Sequence, residues 1–236
     1  MAIVLLSTGM SGSAEAAPSI PITITSDADL ETQATANGWS GDGTEGNPYI
    51  IGGLEIDATG SSYAISINFV SKHLVITECI LENSNHVGIE VWYSSNIWIL
   101  GNTIRNNADL AMMLYSCNNV SMTGNDCWNN PLYGVAIRVS SDIEVVGNYI
   151  TNSAEGLNLE YVERSEISGN LITHMNGAGI YLGGSGNNTV FDNKVNESNA
   201  GVVLYDSSFS YVHNNTCDNN DGDGISLSNS HHNTIE

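Results

Sequence analysis

Five side chains suited to gripping a sugar recur at one interval along the chain: Trp92, Tyr115, Arg138, Glu160 and Tyr205. The first three steps are 23, 23 and 22 residues, and Gly183 takes the place between Glu160 and Tyr205. Tyr93 and Tyr161 stand next to the row. Aromatic faces lie against sugar rings, and Arg and Glu exchange hydrogen bonds with hydroxyls. Stacked at one strand spacing, ~4.8 Å, such a row would match the length of a sugar ring. Trp92, Tyr93, Tyr115, Arg138, Glu160, Tyr161 and Tyr205 are therefore the candidate glycan-binding residues. The alternative is that the aromatics only stabilise one another along a sheet flank, as cross-strand pairs do.

Carboxylate chemistry has fewer candidates. Glycoside hydrolysis needs two carboxyl groups ~5 to 10 Å apart, whereas Glu90 and Glu160 are three intervals apart, or ~14 Å. Glu144 and Glu166 are one interval apart, ~5 Å if both point outward. With Arg138 they are the weak catalytic candidates, although a plain ladder of surface charges explains the pair more simply. The turn Asp218-Asn219-Asn220-Asp221-Gly222-Asp223-Gly224 offers oxygen ligands to a hard cation. Asp218, Asp221 and Asp223 are thus weak calcium candidates, without the spacing of an EF-hand. Calcium is the one cofactor the sequence admits, and none is required. The six histidines form no repeated inward cluster, which argues against a transition-metal site.

The interval belongs to the whole chain. A Gly or Ala followed by apolar-x-apolar recurs at Ala64, Gly88, Ala111, Gly134, Gly156, Gly179, Gly201 and Gly224. A second marker, an asparagine two residues before an apolar position, keeps the same step at Asn102, Asn125, Asn148, Asn170, Asn193 and Asn215, with Glu78/Ile80 as an imperfect first member. Three residues ahead of each marker runs another apolar row: Val75, Ile99, Met122, Val145, Ile167, Val190 and Val212.

Each repeat thus holds three short apolar segments separated by Gly, Asn and Ser, which reads as three strands and three turns. Fixed-period repeats stack like on like. The fold expected is all-β: a right-handed parallel β-helix of about eight coils, with an asparagine ladder at one corner. Leucine-rich repeats would need leucine at fixed spacings.

Three regions follow from the pattern. Residues 1–17 resemble the end of a secretory signal, with an apolar run from Ala2 to Met10 and small residues before Pro18, although no basic residue precedes the run. Residues 18–52 are a cap and lead-in, with a short helix from Asp27 to Asn37 capped by Asp27 or Asp29 and closed at Gly38. Residues 53–236 are the β-helix. Glu236 falls in mid-coil, so further coils or another domain are expected beyond it.

With Asp+Glu 26 against Lys+Arg 5, the formal net charge is -21, which excludes nucleic acid as a partner. No apolar run approaches a membrane span. Of the four cysteines, Cys127 and Cys217 lie four coils apart on one inward row, ~19 Å, beyond the ~7 Å reach of a disulfide. All four are expected to be free.

The repeat, together with the lead-in Gly43-Thr44-Glu45-Gly46-Asn47-Pro48-Tyr49-Ile50-Ile51 and Leu54-Glu55-Ile56-Asp57, resembles the right-handed β-helix proteins grouped with NosD and the CASH domains, of the pectin-lyase-like superfamily. That resemblance implies a secreted or cell-surface setting in archaea or bacteria. It is weak for activity, because the group includes lyases, hydrolases, epimerases and proteins of unknown role. The paired-aspartate, His-Gly and Arg-x-Lys signatures of polygalacturonase-like hydrolases are missing, as is the Asp-Pro-His motif of alginate epimerases. A lyase would have to draw its base from Lys72, Arg105, Arg138, Arg164 or Lys194. The expectation is a secreted or cell-surface domain that binds a polysaccharide or builds an extracellular layer without catalysis. A polysaccharide lyase or glycoside hydrolase, and a rigid spacer in a larger surface protein, are the alternatives.

Overall fold

Residues one interval apart lie side by side on neighbouring parallel strands. Ile65, Ile89, Met112, Val135, Leu157, Ile180 and Val202 form one continuous in-register row. The computed structural model describes residues 19–236, and the signal-like residues 1–17 lie outside them. The described chain winds as a right-handed parallel β-solenoid with three strands per coil. A first sheet of nine strands runs from Ile22–Ile24 to Ile225–Ser228. A second of nine runs from Tyr49–Gly52 to Thr234–Ile235, and a third of eight from Glu55–Asp57 to Thr216–Asp218. The strands at Ile22–Ile24 and Tyr49–Gly52, within the segment read as a lead-in, are already the first rungs of two sheets.

One aliphatic column fills the interior, with Ile89, Ile99, Ile104, Met112, Met122 and Cys127 fully buried in it. The small-residue marker has a steric cause. A Cβ at Gly134 would sit 2.2 Å from Ile150 Cγ2 on the same coil and 2.7 Å from the Gly156 carbonyl oxygen. At Gly134 no room is left for a side chain where the first sheet meets the third, whereas the same row admits alanine at Ala64 and Ala111.

Where the strands bend, inward polar groups satisfy the backbone of the coil below. Asn125 Oδ1 accepts from both the backbone N–H and the side-chain amide of Asn102, each at 3.0 Å. The same pattern continues through Asn148, Asn170, Asn193 and Asn215. The sequence reading missed three further ladders: Asn107 and Asn130 after the third sheet, Ser185, Ser207 and Ser230 after the first, and Ser165, Asn188, Ser210 and Asn233 just ahead of the second. Serine at 22- to 23-residue steps was the available signal.

The first coil corrects the sequence register by one residue. Ile76 rather than Val75 pairs with Ile99, and Leu81 rather than Ile80 with Ile104. Cys79 therefore heads the asparagine ladder, its backbone N–H donating to Asn102 Oδ1 at 3.0 Å, while Glu78 turns the corner at φ 53.

The helix spans Asp27–Asn37 as expected and ends at left-handed Gly38, but its N-cap is Ser26, whose Oγ accepts from the Asp29 N–H at 3.2 Å. Asp29 instead accepts from the Thr25 N–H, one residue ahead of the cap. Asp27 is occupied elsewhere, accepting from the Ser71 N–H, the Ser71 hydroxyl and the Lys72 N–H at 2.8, 2.6 and 3.0 Å. With Leu30 and Ala34 buried, the helix is pinned over the first coil.

Candidate glycan-binding face

The sugar-gripping row is one rank of the first sheet's outer face: Asn68, Trp92, Tyr115, Arg138, Glu160, Gly183, Tyr205 and Ser228 follow each other in register. Alternation along each strand puts Val91, Leu114 and Ile137 inward and their successors outward. Tyr93 and Tyr161 occupy the corner immediately after the row, so all seven glycan-binding candidates share one face.

Its upper part is a stack of rings. The centroids of Trp92 and Tyr115 are 4.9 Å apart, and those of Phe69 and Tyr93 are 5.2 Å apart at 5° between planes. Phe69, absent from the sequence-derived set, is 62% exposed. A shallow groove of about 380 Å³ runs beside Phe69 and Tyr93, with Ser71, Ser95 and Asn118 on its wall.

The middle of the face is polar. Arg138 Nε lies 3.5 Å from Glu160 Oε2, Nη1 donates to Asn158 Oδ1, and the guanidinium stands 5.7 Å from the Tyr133 ring centroid. Asn158 Nδ2 in turn donates to Glu155 Oε2 at 2.5 Å. Burial pushes the Tyr181 hydroxyl above its ordinary value, and the neighbouring Glu160, Glu155 and Asp206 carboxylates add to the shift.

The corner beside this face differs from the other two. Phe69, Tyr93, Ser116, Val139, Tyr161, Gly184, Asp206 and Asn229 all have φ between 50 and 59°. The corner after the second sheet has Gly101, Gly124, Gly147 and Gly169 in that conformation, along with Glu78 and Asp192, and the one after the third has Asn83, Asn106, Asn129 and Asn152, along with His174 and Glu197; the first is the one that places Phe and Tyr rings there. A left-handed L-residue costs roughly 1–2 kcal/mol, least for Asn or Asp, and a β-branched one such as Val139 is a genuine outlier. A good ring pair returns only about 0.5–1.5 kcal/mol. Phe69 and Tyr93 recover part of that cost by stacking on each other, and Tyr93 also meets Trp92 and Tyr115, whereas Tyr161, 65% exposed, stacks on no ring among the described residues. Strain of this kind collects where a surface has work to do.

The other candidates sit elsewhere. Glu144 and Glu166 are in-register neighbours on the second sheet, both exposed. They line a depression of about 390 Å³ with Asn119, Asn187 and Arg164. Arg164 is clamped by Asp142 at 3.0 and 2.9 Å, and Glu166 accepts from Ser168 Oγ at 2.8 Å. Arg138, on the first sheet, is not part of that depression. Asp218, Asp221 and Asp223 are exposed and do not gather. The turn follows the coil beneath, with the Asp221 and Gly222 amides donating to the carbonyls of Ser198 and Asn199 and Asn220 Oδ1 accepting from the Ser198 N–H, which spreads the carboxylates along the edge. No three His, Cys, Asp or Glu side chains form a metal-binding group among the described residues.

Fold and face together define a right-handed parallel β-solenoid with an aromatic flank. Residues 21–199 and 173–236 match the family model described as periplasmic copper-binding protein (NosD), and the chain belongs to that family. No curated protein matches it. The similar solved structures include these three. Tailspike protein 2 from Escherichia coli O157:H7 bacteriophage CAB120 shares 11% identity over 79% of this chain and 31% of that one, TM-score 0.61. The Azotobacter vinelandii mannuronan C-5 epimerase AlgE4 A-module shares 14% over 78% and 58%, TM-score 0.60. Pectate lyase Pel9A shares 11% over 94% and 78%, TM-score 0.59. These identities carry the fold alone, and the chain spans about a third of the tailspike and three fifths of the epimerase module.

The described residues do not fit a copper centre. Besides lacking a ligand group, they hold Cys79, Cys117 and Cys127 inside the core, unpaired, where burial pushes each thiol up and disfavours the thiolate a soft metal needs. No helix of the described residues is long and apolar enough to cross a membrane.

Proposed function

We propose that this NosD-family chain is an exported, secreted or cell-surface β-helix that binds a glycan along the outer face of its first sheet and does not cleave it. The carrying observation is the in-register row from Trp92 to Tyr205, flanked by the exposed ring of Tyr161, whose left-handed backbone no ring contact repays. The family's periplasmic description and the small-residue segment before Pro18 support export.

The test is binding of the folded chain to a panel of neutral and acidic oligosaccharides. Trp92→Ala, Tyr115→Ala and Tyr205→Ala are each expected to weaken binding severalfold. Unchanged binding by all three would remove the face from consideration.

A catalytic reading has one observation in its favour, the Glu144/Glu166 pair at in-register spacing beside a depression. Release of products from uronate polymers or neutral glycans, abolished by Glu166→Gln, would establish it, and an inert protein across that panel would dismiss it. Calcium enters only as a variable of that assay.

A further inference from the structure

Between Glu160 and Tyr205 the outer row carries no side chain. A Cβ at Gly183 would lie 2.8 Å from Tyr181 Cε1 and 3.0 Å from its hydroxyl, and a Cβ at Gly184 would lie 2.8 Å from Tyr161 Cε1. Two tyrosine rings from successive coils thus lie over bare backbone, in space that any other residue pair would occupy. Tyr161 holds this position with a left-handed backbone (φ 56), without a ring partner, and mostly in water. A ring seated on glycine from one side and open on the other is the form a sugar stacks on.

Charge selects among sugars. Glu160 is the in-register neighbour of Gly183, and Glu155 and Asp206 lie close enough to add their charge at the Tyr181 hydroxyl. The one cation of the first sheet, Arg138, is already held by Glu160 and Asn158. Of the chain's other basic residues, Lys72, Arg105 and Arg164 pair with Glu31, Glu82 and Asp142, and Lys194 is on the third sheet. A ligand carboxylate placed here would meet three like charges and no free counter-charge. Hydroxyl groups would meet carboxylate acceptors.

We infer that the sugar platform of this face is centred on Tyr161 and Tyr181, seated on the Gly184 and Gly183 backbone, and that it accepts a glycan without acidic groups. This rests on the glycan-binding reading above and assigns its subsite and ligand class. Tyr181, Gly183 and Gly184 become specificity-determining residues of the face.

The experiment is calorimetric titration of the whole folded chain with hexamers of neutral β-linked glucose, mannose or xylose and with hexamers of galacturonate and mannuronate, at low and moderate salt in the presence of a chelator. At least one neutral hexamer binds, and the acidic hexamers bind tenfold or more weakly. Tyr161→Asn lowers affinity tenfold or more while raising the melting temperature, because asparagine relieves the left-handed strain. A purely structural tyrosine would not move the two readings in opposite directions. Gly183→Ala, which displaces the Tyr181 ring, weakens binding with the fold retained by circular dichroism. Equal or tighter binding of the acidic hexamers, or a larger loss in Trp92→Ala than in Tyr161→Asn, overturns this inference and leaves the wider reading standing. A folded protein that binds none of the hexamers defeats both.

Discussion

Replacing Asn125 with alanine tests whether the buried amide ladder holds the coils together. Asn125 Oδ1 receives the Asn102 backbone N–H and side-chain N–H at 3.0 Å, and its Nδ2 donates to the Ile99 carbonyl and to Asn148 Oδ1, each at 2.9 Å. Asn102 and Asn125 are both 1% exposed. The truncation strands two dry donors on Asn102. At about 1–3 kcal/mol for each orphaned group, the loss is roughly 2–6 kcal/mol, with the low end reached if water enters the vacated space. That is a large share of the ~5–15 kcal/mol that stabilises an ordinary domain.

The measurement is urea unfolding followed by far-ultraviolet circular dichroism. The control is Asn129→Gly, at an exposed corner position with φ 55, where the side chain donates to Asn106 Oδ1 at 3.4 Å and accepts from Asn152 Nδ2 at 3.2 Å, both exposed to water. Glycine keeps that conformation, so the control should lose less than about 0.5 kcal/mol. If Asn125→Ala loses under about 1 kcal/mol, or no more than Asn129→Gly, the reasoning fails and the aliphatic column alone carries the stack.

Three further outcomes are expected. Gly134→Ala should cost about 1–3 kcal/mol in the same assay, because its methyl group would overlap Ile150 and the Gly156 backbone, which can yield only by shifting a rung. Asp27→Asn should lower stability by about 1–2 kcal/mol at neutral pH by weakening charge-assisted bonds. Burial alone would push the Asp27 carboxyl up, but the donors on Ser71 and Lys72 outweigh it and hold the group below its usual range. A depressed carboxyl contributes above its unfolded value, about 3.9, and the contribution disappears as pH falls through the folded value. The difference between wild type and Asp27→Asn should therefore shrink as pH falls from about 4 and vanish only below the folded value. Maleimide labelling should modify half-buried Cys217 first, and Cys79, Cys117 and Cys127 only on unfolding.

The repeat length was enough to find the fold and the candidate face. In a parallel stack each residue's vertical neighbour is the one a coil away, so the row from Trp92 to Tyr205, the column from Ile89 to Val202 and the asparagine ladder could all be read by counting. Counting failed where local chemistry was degenerate. Leu74-Val75-Ile76 is apolar throughout and gives no alternation to choose its inward member, so the first coil slipped by one. Ser26, Asp27 and Asp29 can each cap a helix, and the choice fell to Ser26 once Asp27 was bound to Ser71, 44 residues along the chain.

What lies beside a residue around the corner, rather than above it, depends on backbone angles. Nothing in composition announces that Phe69, Tyr93, Val139 and Tyr161 turn left-handed at a corner whose counterparts are mostly glycine or asparagine. Nor does it show that Gly183 and Gly184 lie beneath two tyrosine rings. Periodicity determined the vertical contacts because they repeat every coil. The lateral ones were decided by tertiary structure, because each arises once, from the way a particular turn aims its side chains.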